Sequence, residues 1–102
     1  MVIVYTTCKN TEEAVKIGKR LLDEKIASCV NIWPIQSMHY WEGALENHVE
    51  AAMFIKTVEH HLAEIEALIE KNHSYEIPYI GAIEVLRFNR AYREWMTTVI
   101  KQ

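Results

Sequence analysis

The chain is expected to fold as an α+β domain with four strands, and helices packed on one face of their sheet. Three observations predict this. Short apolar runs alternate with helical apolar spacing in the order βαββαβ, and a last helix follows. The middle two strands form a long hairpin about Glu42-Gly43, where glycine supplies the positive φ that a two-residue loop needs. Half the residues are hydrophobic and a quarter are charged, a balance that supports a packed core rather than disorder.

Residues 2–8 (VIVYTTC) read as a central strand buried on both faces, because polar alternation is weak. Asn10 or Thr11 caps the first helix, and Glu12 and Glu13 in its first turn complement the helix dipole. Ala14, Ile17, Leu21 and Leu22 form its apolar face, and Lys25 ends it. The hairpin then occupies most of 27–57, rich in Val, Ile, Trp, Tyr and Phe. Pro34 lacks a ladder donor, so the first arm is an edge strand or bends there. In the second arm Val49, Ala51, Met53 and Ile55 share one face, while Ala52 and Phe54 lie on the other; this arm is expected to be central. Thr57 is expected to cap the second helix, with Leu62, Ile65, Leu68 and Ile69 on its apolar side. NHSYEIP is a loop, since Pro78 bars helix continuation. Residues 79–86 form the fourth strand. Asn89 caps a last helix presenting Tyr92, Trp95, Met96 and Val99.

Right-handed crossovers then favour a ferredoxin-like sandwich, an antiparallel sheet with two helices on one face. In that topology the end of the first strand, the hairpin tip and the loop before the fourth strand share one end of the sheet. Cys8, Tyr40, Trp41 and the His73–Tyr79 loop are thereby candidates to lie near one another.

With 102 residues, the chain reads as a single domain, 1–102, with no linker or composition shift. Net charge is −3 and the eleven basic residues are scattered, which argues against nucleic acid or an anionic membrane as partner. No apolar run approaches the roughly 20 residues that span a bilayer. The opening MVIVYTT reads as a strand, not a leader. Cys8 and Cys29 have no metal-motif or redox-motif spacing, so a reduced, cytoplasmic protein is expected. There is no G-x-S-x-G, no P-loop and no HExxH, and no catalytic set is assigned.

The hairpin points to an oligomer. Arms of about 15 residues at ~3.3 Å per residue reach roughly 50 Å, against a radius of gyration near ~13 Å for a chain of this size. An overlong apolar hairpin needs another chain to cover it. Tyr40 and Trp41 are the interface candidates, since adjacent strand residues face opposite ways and both rings carry a polar handle. Glu50 and Lys56 share a face of the second arm, where they would pair across an interface, line a cleft or form a structural ion pair.

Several motifs then carry a resemblance. Ala27, Cys29 to Ile32 and Pro34; Ser37, Tyr40, Trp41 and Gly43; Glu50, Lys56 and Thr57; and His73, Tyr75 and Pro78 together resemble the CutA divalent-cation tolerance proteins over nearly the whole chain. The resemblance implies a ferredoxin-like homotrimer with hairpins packed between subunits, similar in architecture to the PII signalling proteins. It also implies a role with copper or another divalent cation. The copper site usually suggested for the family uses a first-strand cysteine, a loop histidine and an acid, and the matching positions here are Thr6, Asn72 and Tyr79. Cys8 and His73 stand nearby and offer a shifted thiolate–imidazole pair without its acid. The plainer expectation is a half-buried thiol beside a histidine bonded to backbone. Met38 and Met53 read as core filler rather than thioether ligands. His60 with Glu64 reads as a solvated helix face, and His39 with His48 as an opportunistic approach across the hairpin.

Two functions follow as expectations. The first is a non-enzymatic trimer for divalent-metal (copper) tolerance or response. The second is a PII-like signalling trimer that binds a small metabolite or anion in a subunit cleft near Lys56 and Tyr75.

Overall fold

The computed structural model describes all 102 residues, Met1–Gln102. The elements are β1 (Val2–Cys8), α1 (Thr11–Asp23), β2 (Cys29–Trp41), β3 (Ala44–Thr57), a 3-10 turn (Glu59–His61), α2 (Leu62–Asn72), β4 (Ile80–Glu84) and α3 (Arg90–Val99). The four strands form one antiparallel sheet in the order β2-β3-β1-β4. This is the expected ferredoxin-like arrangement: β3 and β1 are central, and Pro34 lies on the edge strand β2.

Val4, Thr6 and Cys8 of β1, and Ala51, Met53 and Ile55 of β3, point to the helix side of the sheet and are buried. Ile17 and Leu21 of α1, with Ile65 and Ile69 of α2, close the core over them. The other face of β1 is only half-buried, so this strand is less enclosed than its apolar run suggests. On that open face Phe54 meets Tyr5 and Trp33 edge-on, with ring centres 6.0 and 4.9 Å apart.

Helix α1 starts as expected: the Asn10 side chain accepts the Glu13 N–H at 2.9 Å. It ends at Asp23, not Lys25, which adopts a left-handed φ of 59° beyond the helix. Leu22 is exposed, and Gly18 takes the inward place instead, against Val30 and Met53. Thr57 does not cap a helix. It is the last residue of β3, and its hydroxyl donates to the Ile26 carbonyl at 2.6 Å. Strand β4 covers 80–84 rather than 79–86. Asn89 occupies the position before α3, but its side chain makes no capping bond. No helix is long and apolar enough to cross a membrane.

The hairpin turns at Glu42-Gly43, with φ of 51° and 81°, both in the left-handed region that a tight primed turn requires. Its arms carry the molecule to a longest dimension of 47 Å, against 25 and 21 Å across. The register pairs Pro34 with Ala51 and Trp41 with Ala44, so the outer half of the hairpin runs well past the end of β1, where Cys8 faces Ala51. Beyond the reach of the helices, one hairpin face holds Met38, Tyr40, Leu45 and Val49, which are 64, 75, 52 and 61% exposed. Met38 and Val49 are thus not core residues, whereas Met53 is.

Candidate functional site

The site forms where β1 ends and the 73–79 loop crosses it. Cys8 is fully buried, and its Sγ lies 3.6 Å from the Met53 sulfur. Two residues later the Asn10 cap starts α1, which places Glu13 at the third helical position facing the loop. One Glu13 oxygen accepts the Lys9 N–H and the other the Ser74 N–H, both at 3.1 Å. The His73 ring is completely buried. Its Nε2 lies 2.7 Å from the Thr7 carbonyl oxygen, an acceptor, so Nε2 carries the proton. Nδ1 then accepts the Tyr75 N–H at 3.0 Å.

Cys8, Glu13 and His73 thereby bring a sulfur, a carboxylate oxygen and a ring nitrogen within 4.8 Å of one another. The acid missing from the expected Cys8–His73 pair comes from α1. Sequence reading gave Glu13 only a dipole role. A capping box would have turned this acid back onto the Asn10 N–H, whereas its oxygens take the Lys9 and Ser74 N–H groups, a contact with a distant loop that no local pattern marks.

These donors suit a soft or borderline divalent ion in kind, but each is already engaged. Burial, reinforced by Glu13 and then Glu50, pushes the Cys8 thiol up to about 12, so it is protonated at neutral pH. Burial also works to raise the Glu13 carboxyl. The bonds from Ser74 and Lys9 and the nearby His73 outweigh it and hold the group below the usual glutamate range. His73 is bonded to backbone on both nitrogens, as the plainer expectation held. As it stands, the cluster clamps the loop to β1 and α1.

The three positions matching the family's usual donors do not converge. The Thr6 hydroxyl is buried without a partner. The Asn72 amide donates to the Leu68 carbonyl at 2.8 Å. Tyr79 is exposed on the other side of the sheet, its ring 6.1 Å from that of Tyr5.

On that open side lies a cleft of 540 Å³ between hairpin and loop, with Trp41, His48, Glu50, Tyr75 and Tyr79 among its walls. The Tyr75 hydroxyl donates to the Glu50 carboxylate, and His48 Nε2 stands 3.9 Å from it. Burial favours neutral Glu50, but hydrogen bonds from Ser37 and Tyr75, with the His48 and His39 rings nearby, hold it ionised and below the usual range. Burial and the Glu50 bond raise the Tyr75 hydroxyl, keeping it a donor. Trp41 lines this cleft, whereas its neighbour Tyr40 projects from the opposite face.

Glu50 and Lys56 do not pair. Six residues of strand separate them, roughly 20 Å, and the Lys56 ammonium sits 5.3 Å from the Tyr92 ring centre. Within the chain, therefore, Lys56 and Tyr75 do not line one cleft, and the metabolite-cleft expectation loses its pairing. His61, not His60, meets Glu64, at 4.0 Å, and it also contacts the Lys101 carbonyl at 2.7 Å.

The fold and this cluster define a small ferredoxin-like protein with an overlong hairpin and a loop clamped by a thiol, a carboxylate and an imidazole. Residues 2–99 match the family described as CutA1 divalent ion tolerance protein. The chain is 40% identical over 98 residues to the divalent-cation tolerance protein CutA of Archaeoglobus fulgidus, covering 96% of each chain. Among solved structures, CutA1 from Pyrococcus horikoshii aligns with a TM-score of 0.96 at 34% identity, over 100% of both chains. CutA1 from Oryza sativa aligns with a TM-score of 0.94 at 32% identity, over 99% of this chain and 94% of that one. The chain belongs to the CutA1 divalent ion tolerance family.

Proposed function

We propose that this protein serves divalent-metal tolerance or response, with copper as its ion, as a non-enzymatic homotrimer. The observation that carries the reading is the convergence of Cys8, Glu13 and His73 within 4.8 Å. These residues would hold the ion, which would supply positive charge where Nδ1 of His73 now accepts the Tyr75 N–H. Cys8 must lose its proton, and the Tyr75 amide must leave the ring. Ion binding is therefore weak at neutral pH and is coupled to release of the 73–79 loop. That coupling suits a sensor of excess metal better than a resident cofactor.

The assembly rests on the hairpin. Met38, Tyr40, Leu45 and Val49 expose an apolar stripe beyond the helices, crossed by the hydrogen-bonded Gln36–Asn47 pair. A stripe of this kind on a strand pair calls for a covering partner, and the family resemblance implies three copies. Cys8 and Cys29, neither in a disulfide, fit a reducing cytoplasmic location.

The test is copper titration of the purified protein, repeated with Cys8→Ser and His73→Ala, alongside sedimentation. Weakened binding in both variants supports the site. Copper binding unchanged in both would overturn it, and a stable folded monomer at micromolar concentration would overturn the assembly.

A further inference from the structure

The hairpin carries a second group of imidazole and carboxylate side chains, apart from the loop clamp. The register sets Ser37 opposite His48, Ile35 opposite Glu50 and His39 opposite Glu46, so His39, His48 and Glu50 share one face of the two strands. All three line the open cleft. The His39 and His48 rings lie with centres 6.0 Å apart at 74°. His48 Nε2 is 3.9 Å from the Glu50 carboxylate.

We propose that His39, His48 and Glu50 form a divalent-cation site on the hairpin that takes a borderline ion of the zinc type. Two imidazoles that share an ion through nitrogens at about 2.1 Å place their ring centres roughly 5–6 Å apart, close to the separation already present. Glu50 is the anchor. It is 7% exposed and already oriented by Tyr75, and a carboxylate has lone pairs enough to keep that bond and still coordinate. Within the single chain the His39 and His48 side chains are not packed in the core, and each can rotate the remaining distance onto an ion. Two imidazoles and one carboxylate, with water in the open position, make a zinc-compatible set. Imidazole ligands select zinc or copper over magnesium.

The site shares no ligand with the Cys8 cluster, although Tyr75 touches both, through its N–H on His73 and its hydroxyl on Glu50. Zinc titration by calorimetry in the Cys8→Ser background silences the loop site and isolates this one. Cys8→Ser protein should bind one zinc per chain. Adding His39→Gln or His48→Gln should weaken binding at least tenfold, with sedimentation unchanged to show that the assembly is intact. In wild-type protein, sub-stoichiometric zinc should shift the imidazole NMR signals of His39 and His48 and leave those of His60 in place; this needs no variant to fold. Zinc affinity unchanged in the His39→Gln, His48→Gln double variant would overturn the proposal. So would magnesium binding as tightly as zinc, or loss of all zinc binding on Cys8→Ser alone.

Discussion

The Tyr75 hydroxyl donates to the Glu50 carboxylate, and this bond ties the loop before β4 to the base of the hairpin. Glu50 is an ionised group that is 7% exposed, so its stability depends on its donors. Removing one partner from a buried charged acceptor costs about 1.5–3 kcal/mol. Tyr75→Phe should therefore lower unfolding stability by about that amount. Glu50→Gln should weaken the same bond, and the double variant should lose less than the sum of the two. Denaturant unfolding of the four proteins measures the coupling, and strict additivity would show that the bond contributes nothing.

The two depressed carboxyls set the acid limb of the stability curve. Glu13 and Glu50 are both held below their unfolded value of about 4.3. A depressed carboxyl contributes stability that is fully present above its unfolded pKa and lost as pH falls through its folded one. Stability should thus hold near neutrality and decline from about pH 5 downward. Glu13→Gln should be less stable at pH 7 yet show a flatter acid limb. Thermal melts between pH 7 and pH 3 test this, and parallel limbs for wild type and variant would refute it.

Much of the fold was legible because its signals are local. The Glu42-Gly43 turn, the Asn10 cap and the apolar spacing of α1 and α2 are each written within a few residues. The errors arose where a distant partner decides. Thr57 resembles a helix cap, but its hydroxyl serves Ile26, thirty-one positions away in the chain. Glu13 fits a dipole role, yet one of its oxygens holds Ser74, sixty-one positions on. Lys56 and Glu50 share a face by parity, but Tyr92 and Tyr75 claim them separately. Periodicity places residues on faces; it does not say which loop folds across them.

The hairpin tip should matter more to assembly than the last helix does. Trp95 packs on Tyr92 of its own chain, with ring centres 5.4 Å apart. Trp41 closes the strand pair at the tip and lines the open cleft. If neighbouring chains cover the hairpin, Trp41 becomes buried, and truncating a buried tryptophan costs about 3–5 kcal/mol. Trp41→Ala should dissociate the oligomer at concentrations where Trp95→Ala leaves it whole. Sedimentation across a dilution series decides, and equal loss for both variants would count against the assignment.

Cys8 offers the sharpest check on the loop site. Its thiol is buried and pushed up to about 12, by burial first and then by Glu13 and Glu50. The thiolate is the nucleophile and the metal ligand, so the folded protein should keep Cys8 silent toward an aromatic disulfide reagent at pH 8. Both cysteines should react once the chain is unfolded. A thiol with a raised pKa stabilises the fold below its unfolded value, about 8.5, and that stability fades as pH rises through the folded value. Alkaline conditions should therefore loosen the clamp and expose Cys8 together. Copper binding by Cys8 must release the same proton, so its affinity should climb with pH. In Cys8→Ser the affinity should be lower and the climb shallower. Rapid labelling of Cys8 in the folded protein, or a copper affinity equally steep in pH without the thiol, would remove Cys8 from the site.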